Sequence, residues 1–234
     1  MSDWFIEFYQ VILTHLPSLL IGLKTSLTLT VVALCMAFFL SILLTCILEL
    51  KPLLLTALTK VFITVFTGTP LLIQIYLIYY GPGQFEFIKE SLPSLWSIIS
   101  NVWFCAILAL TLNSTAYTTL LFHGALKAVP DGQWQACAAL GMSKRQTLRI
   151  LVPYALKRAL SSYSNEVVLI FKSTSLVYTI TLMEVMGYTK RIFGNEYDLS
   201  IFILAGLIYL SVNSILMFLM RVIEKRALAF ETRD

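Results

Sequence analysis

Apolar residues run along this chain in long stretches that lack the alternation expected of strands. Five of them, at residues 19–48, 58–80, 102–122, 161–183 and 199–220, are rich in Leu, Ile, Val and Phe. Each reaches the ~20 residues that an α-helix needs to cross a hydrocarbon core of ~30 Å. A closed barrel would instead show alternating segments of ~10 residues. The pattern therefore predicts transmembrane helices, whose backbone hydrogen bonds are all made within the segment. One stretch departs from it: residues 128–153, between the third and fourth apolar runs, are polar and basic. The expected fold is an all-α integral membrane protein with five transmembrane helices, a single membrane domain over residues 1–234, and one structured loop.

Composition strengthens this reading. The chain is 58% hydrophobic and 13% charged, with a mean hydropathy of +0.82, whereas soluble domains average about 25% charged residues. Five spans put the chain ends on opposite sides, and the basic residues choose which. One side carries Lys51, Lys60, Lys127, Lys144, Arg145, Arg149, Lys157, Arg158, Arg221, Lys225, Arg226 and Arg233. The other has Lys24, Lys89, Lys190 and Arg191, accompanied by Asp3, Glu7, Glu86, Glu90, Glu196 and Asp198. The positive-inside rule then predicts an N-terminus outside and a C-terminus in the cytoplasm. The net charge of +4 reports topology and makes no case for nucleic acid. The acidic start lacks the basic region and cleavage site of a signal peptide.

Within the loop, Asp131 follows Pro130 and is placed to cap a helix over 132–140. Gly141 suits the left-handed residue that ends such a helix. Ser143 with Gln146 three residues on forms a capping box for a second helix bearing Lys144, Arg145 and Arg149. Trp134, Ala138 and Gly141 share one face of the first helix, flanked by Gln135, Ala136 and Ala139. Small residues there would let another backbone come close, with Trp134 as an anchor. A plain structural turn between two membrane helices is the competing reading. DNA binding is disfavoured by the tight tether and the few basic groups.

Polar residues inside the apolar runs are candidates for a solute path. Glu166 follows Asn165 near the start of the fourth run. A charge at a helix centre costs roughly 2.5–3.5 kcal/mol on insertion scales, so it faces a cavity or a partner. Meeting the cationic part of a substrate competes here with an internal ion pair or a wet position near the membrane edge. Asn113 and Tyr117 share a face of the third run, and Thr69-Pro70 interrupts the second. Helix-to-helix bonding and a simple kink are the ordinary explanations for these.

Absences narrow the classes. The external connections, 81–101 and 184–198, are too short to hold a substrate-capturing domain. No G-x-x-x-x-G-K-[ST] phosphate loop, H-E-x-x-H or G-x-S-x-G motif occurs, which disfavours an ATPase or a membrane enzyme. Cys35, Cys46, Cys105 and Cys137 have no metal-site spacing, and His15 and His123 are far apart, so no metal is expected. A secondary transporter or channel is the remaining alternative; such folds commonly show inverted repeats, and none is visible here.

The loop then resembles a known signature. In permeases of ABC importers a Glu-Ala-Ala triplet is followed by three residues, a Gly, and an apolar-Pro ending. Here it reads Gln135-Ala136-Cys137, Ala138-Ala139-Leu140, Gly141, and Ile150-Leu151-Val152-Pro153. Val129-Pro130-Asp131-Gly132-Gln133-Trp134, Thr67-Gly68-Thr69-Pro70-Leu71-Leu72-Ile73-Gln74, Ala116-Tyr117, Asn165-Glu166 and Lys172-Ser173-Thr174-Ser175-Leu176 resemble the polar amino acid branch. The resemblance spans about residues 19–226.

It implies a permease subunit in a bacterial inner membrane that moves a basic amino acid, arginine first, with lysine, ornithine or histidine as alternatives. The loop becomes a cytoplasmic coupling helix, with Trp134, Gln135, Ala136, Ala138 and Gly141 on a cytoplasmic ABC ATPase dimer. That ATPase would hold ATP and Mg; this chain would bind no cofactor. A periplasmic amino-acid-binding protein would deliver the solute. The substrate path would use Glu166, Asn165, Asn113, Tyr117 and Thr69. Where relatives keep charged residues this chain has Gln135, Thr67 and His123, and Thr119-Leu120 replaces their Ala-Glu. Those departures imply pairing with a different permease subunit that retains the charges.

Overall fold

The computed structural model describes residues 2–228; Arg233, counted above among the basic residues of one side, lies outside them. Among the described residues the chain is helical throughout. The order is α1 (Ser2–Leu50), α2 (Leu53–Gly68), α3 (Leu71–Tyr80), α4 (Glu86–Ser91), α5 (Pro93–Ile99), α6 (Val102–Lys127), α7 (Asp131–Ala139), α8 (Lys144–Ser173), α9 (Val185–Glu196) and α10 (Ser200–Ala227). Short 3-10 segments occupy Pro82–Gln84 and Thr174–Ile180.

The spans differ from the expected five in three ways. The first helix begins at Ser2, well before residue 19 and through Pro17, because Phe8, Val11 and Ile12 continue its packing face onto Leu19, Val185 and Ile201. The second run is two helices, since Thr69 is extended (φ −118°, ψ 144°) and Pro70 cannot donate. The second loop helix and the first part of the fourth run are one helix of 30 residues, ending at Ser173, and the run continues as the 3-10 segment Thr174–Ile180. Leu151, Val152 and Ala155 pack in one cluster on both sides of Pro153 and hold the helix continuous. Three helices are long and apolar enough to cross a membrane by themselves, and five spans are reached if each of two broken pairs counts as one.

The helices sort into two compact units. The first comprises 2–33, Leu71–Leu110 and Leu169–Ile215. One of its cores gathers Leu29, Ala33, Ile75, Ala106, Ala109, Leu110, Val177 and Ile180. Alanines at Ala33, Ala106 and Ala109 allow the close helix approach that apolar surroundings do not otherwise drive.

The second core of this unit, around Leu19, Val185, Ile201 and Leu204, is organised by a carboxylate. Glu184 is fully buried. Its Oε1 accepts from Gly187 N at 2.8 Å, and its Oε2 accepts from Met186 N at 2.9 Å. The same Oε2 accepts from Tyr209 OH at 2.9 Å and Ser26 Oγ at 3.3 Å. Glu184 is thus the N-cap of α9 and ties it to α1 and α10. This is why 184–198, expected as a connection, is helical up to Tyr197, whose left-handed backbone (φ 56°) ends it. Gly22 lies one turn before Ser26 on α1, where an added Cβ would sit 2.7 Å from the Glu184 carbonyl carbon.

The second unit comprises Leu34–Pro70, Thr111–Val168 and 216–228. Phe38, Phe122 and Tyr163 pack with ring centroids 5.6 to 5.8 Å apart. A neighbouring core of Leu126, Val129, Leu148, Leu151 and Val152 seats the loop helix α7.

Two substitutions test the buried carboxylate. Gly22→Ala forces a methyl into the Glu184–Val185 backbone and should cost about 1–3 kcal/mol. Glu184→Gln replaces an acceptor by an NH2 that faces donors, costing a similar ~1–3 kcal/mol. Both should lower the Tm of the purified protein in detergent; wild-type melting of either would remove Glu184 as the organising contact.

Candidate functional site

The loop is built from its caps. Pro130 (φ −55°, ψ 139°) precedes α7, so Asp131 is the first helical residue and not the expected N-cap. The rigid φ of Pro130 sets the entry, and Asp131 still complements the positive helix end. At the other end Gly141 N–H donates to Ala138 O at 2.9 Å and Met142 N–H to Cys137 O at 3.1 Å. With Gly141 at φ +70°, this is the Schellman arrangement anticipated from the glycine. Ser143 N–H and Oγ then donate to Gln146 Oε1 at 2.8 and 2.9 Å, the backward half of the expected capping box. Both sides of the turn between α7 and α8 are fixed.

The faces of α7 are only partly as the spacing suggested. Gln135, Ala136, Ala138 and Gly141 are exposed, as is Ala139. Trp134 is half-buried and packs against the core cluster that contains Leu126, Val129 and Leu148 of this chain, and Cys137 is buried. The indole thus anchors α7 to its own unit. Leu140, missed by the sequence reasoning, is 79% exposed at the tip. Its signal was a large aliphatic directly before a left-handed glycine.

The intramembrane candidates fall into two groups. Ser114 Oγ donates to Glu166 Oε1 at 2.8 Å, both residues being buried. Asn165 is exposed, since neighbouring residues on a helix point about 100° apart, so it does not share the Glu166 face. Lys172 is exposed and forms no ion pair among the described residues.

Asn113, Tyr117 and Thr69 meet instead at the end of α2. Pro70 leaves the Phe66 carbonyl without its i+4 donor, and Asn113 Nδ2 donates to it at 3.3 Å. Tyr117 OH donates to Thr67 O at 3.3 Å, and Thr69 Oγ1 to Val65 O at 2.7 Å. The shared face of Asn113 and Tyr117 was legible, but their polar atoms close a helix end. Glu184 went unnoticed; a lone carboxylate ahead of Val185-Met186-Gly187, at the start of a helix, was the available signal. His15 pairs with Glu196 at 2.9 Å and His123 lies 3.9 Å from Glu49. Among the described residues no group of three His, Cys, Asp or Glu could hold a metal ion.

The chain as a whole is similar to known proteins. The chain is 61% identical over 220 residues to the arginine ABC transporter permease protein ArtM of Escherichia coli K12, covering 94% of this chain and 99% of that one. It is 54% identical over 218 residues to ArtM of Haemophilus influenzae, covering 93% and 95%. A chain from the crystal structure of an amino acid ABC transporter with histidines shares its fold, with a TM-score of 0.80 at 24% identity over 93% of this chain and 97% of that one. Residues 37–228 match the family of binding-protein-dependent transport system inner membrane components. This chain, a transporter component with the helical fold of ABC importer permeases, belongs to that family.

Proposed function

We propose that the chain is the membrane-spanning permease subunit of an ATP-driven importer carrying a basic amino acid, arginine foremost, across the bacterial inner membrane. The observation that carries this reading is 61% identity across nearly the whole chain with a permease named for arginine. The charge asymmetry supports five spans, with the N-terminus periplasmic and α7 and the C-terminus cytoplasmic. ATP and Mg belong to an ABC ATPase dimer seated on α7. A periplasmic binding protein supplies the solute. The neutral Gln135, Thr67 and His123 favour a second, different permease as partner.

The mechanism follows from the second unit. The exposed strip of Gln135, Ala136, Ala138 and Leu140 offers the ATPase a small-residue face with one apolar tip. The doubly capped turn at Gly141–Ser143 hands any displacement of α7 to α8. That helix carries Glu166 in the same unit, 22 residues from Lys144 and so about 33 Å along its axis. Movement at the ATPase therefore reaches the buried carboxylate without crossing a flexible joint. Ser114 holds one oxygen of Glu166, leaving the other to meet an ammonium or guanidinium group.

Gly141→Val should leave the protein inserted yet uncouple ATP hydrolysis from uptake. No atom lies within 4 Å of the added Cβ, so the cost is the left-handed backbone alone, about 1–2 kcal/mol. Normal arginine uptake by this variant in vesicles loaded with ATP would refute the lever. Glu166→Gln should lower arginine uptake by about tenfold at normal expression, in line with loss of a hydrogen bond to a charged group; an unchanged rate returns Glu166 to a structural role. Purification of the tagged protein in mild detergent should bring down a phosphate-loop ATPase and a second permease. Uptake that survives removal of ATP at constant membrane potential would defeat the importer reading.

A further inference from the structure

A cavity of about 720 Å3 opens in the second unit, lined by the end of α1, the start of α2, the end of α6 and the start of α7. That size falls in the ~300–1,000 Å3 range of small-molecule sites. Lys51 in the link between α1 and α2, Lys60 on α2 and Lys127 at the end of α6 line it. All three are exposed, and none forms an ion pair among the described residues. Two carboxylates also line it. Glu49 sits 3.9 Å from His123 and Asp131 occupies the first turn of α7, so three lysines stand against two carboxylates. The lysines are left with an excess of positive charge. The start of α2 adds to it, since Pro52 provides no side-chain cap for the first N–H groups.

Lys51 has φ 57°, a backbone conformation that favours glycine. A cation is therefore held at a position where the geometry alone would select a different residue. Leu53 lines the cavity, and the adjoining face of α2 carries an exposed apolar stripe. Leu54, Leu58 and Val61 follow at helical spacing and are 71%, 57% and 61% exposed, beside Leu53 at 90%. A cationic pocket beside an exposed aliphatic stripe on the same helix matches a molecule with a phosphate at one end and an acyl chain at the other.

We propose that this cavity binds an anionic phospholipid, its phosphate on Lys51, Lys60 and Lys127 and one acyl chain along Leu54, Leu58 and Val61. Basic pockets at the cytoplasmic ends of membrane helices take such headgroups; the importer reading enters only in placing the site at that leaflet. Beside α7, the lipid would brace the base of the lever and make its position sensitive to the anionic content of the membrane.

The test uses the intact complex in mild detergent, incubated with phosphatidylglycerol or phosphatidylcholine and weighed by native mass spectrometry. Wild type should retain phosphatidylglycerol selectively. Lys51→Gly, Lys60→Gln and Lys127→Gln should each lower its retention about fivefold, and the triple variant should fall to the phosphatidylcholine level. Lys51→Gly removes the charge while easing the backbone, so its loss of lipid cannot be laid to misfolding. Equal retention by wild type and triple variant overturns the proposal. Displacement of the lipid by inorganic phosphate as readily as by added phosphatidylglycerol overturns it in favour of a free anion. A triple variant that keeps the lipid but sheds an ATPase assigns the lysines to that partner and likewise overturns it. Absence of any ATPase from the wild-type complex would sink the importer reading and leave the lipid comparison intact.

Discussion

In hydrocarbon, a backbone N–H or C=O without a partner costs several kcal/mol, and each departure of this chain from a plain set of helices is answered by a side chain that meets that demand. Pro70 stops α2 inside an apolar run and removes the donor of the Phe66 carbonyl, which Asn113 answers, while Tyr117 and Thr69 donate to the Thr67 and Val65 carbonyls. Glu184 does the same for donors, closing the start of α9 with two backbone bonds while holding Tyr209 and Ser26. Helix ends within the apolar runs exist here because polar residues were placed to receive them.

That constraint separates two kinds of polar residue in and beside the apolar runs. Asn113, Tyr117 and Thr69 have their polar atoms engaged on backbone, and Glu184 has donors on both oxygens. Glu166 differs, with a single donor among the described residues, given to one oxygen by Ser114. Its second oxygen makes it the better-suited carboxylate for a cationic solute, and its place on α8 links it to the loop. The contrast comes from partners; both carboxylates are buried.

The loop shows a parallel division of labour. Cys137 and half-buried Trp134 point α7 into its own core, and Gln135, Ala136, Ala138 and Leu140 are left outward. A helix of nine residues has little stability by itself; packing on one face and caps at its C-terminal turn give it a fixed position. On the proposed reading, that anchoring allows a partner to push on α7 without melting it.

Much of this was written in local order along the chain. Long apolar runs, the Gly141 turn, the Ser143–Gln146 box and the Pro70 break are matters of spacing and backbone sterics, and each acts over a few residues. The family signature is likewise a linear pattern. Helix α9, the union of the loop's second helix with the first part of the fourth run, the inward turn of Trp134 and the roles of Asn113 and Tyr117 depend on groups distant in sequence. Ser26 and Glu184 are 158 positions apart, and Asn113 and Phe66 are 47. Sequence fixes which groups need partners, because that need is a property of each residue and its neighbours; only the tertiary structure decides which partner answers, because any donor brought within about 3 Å serves equally well.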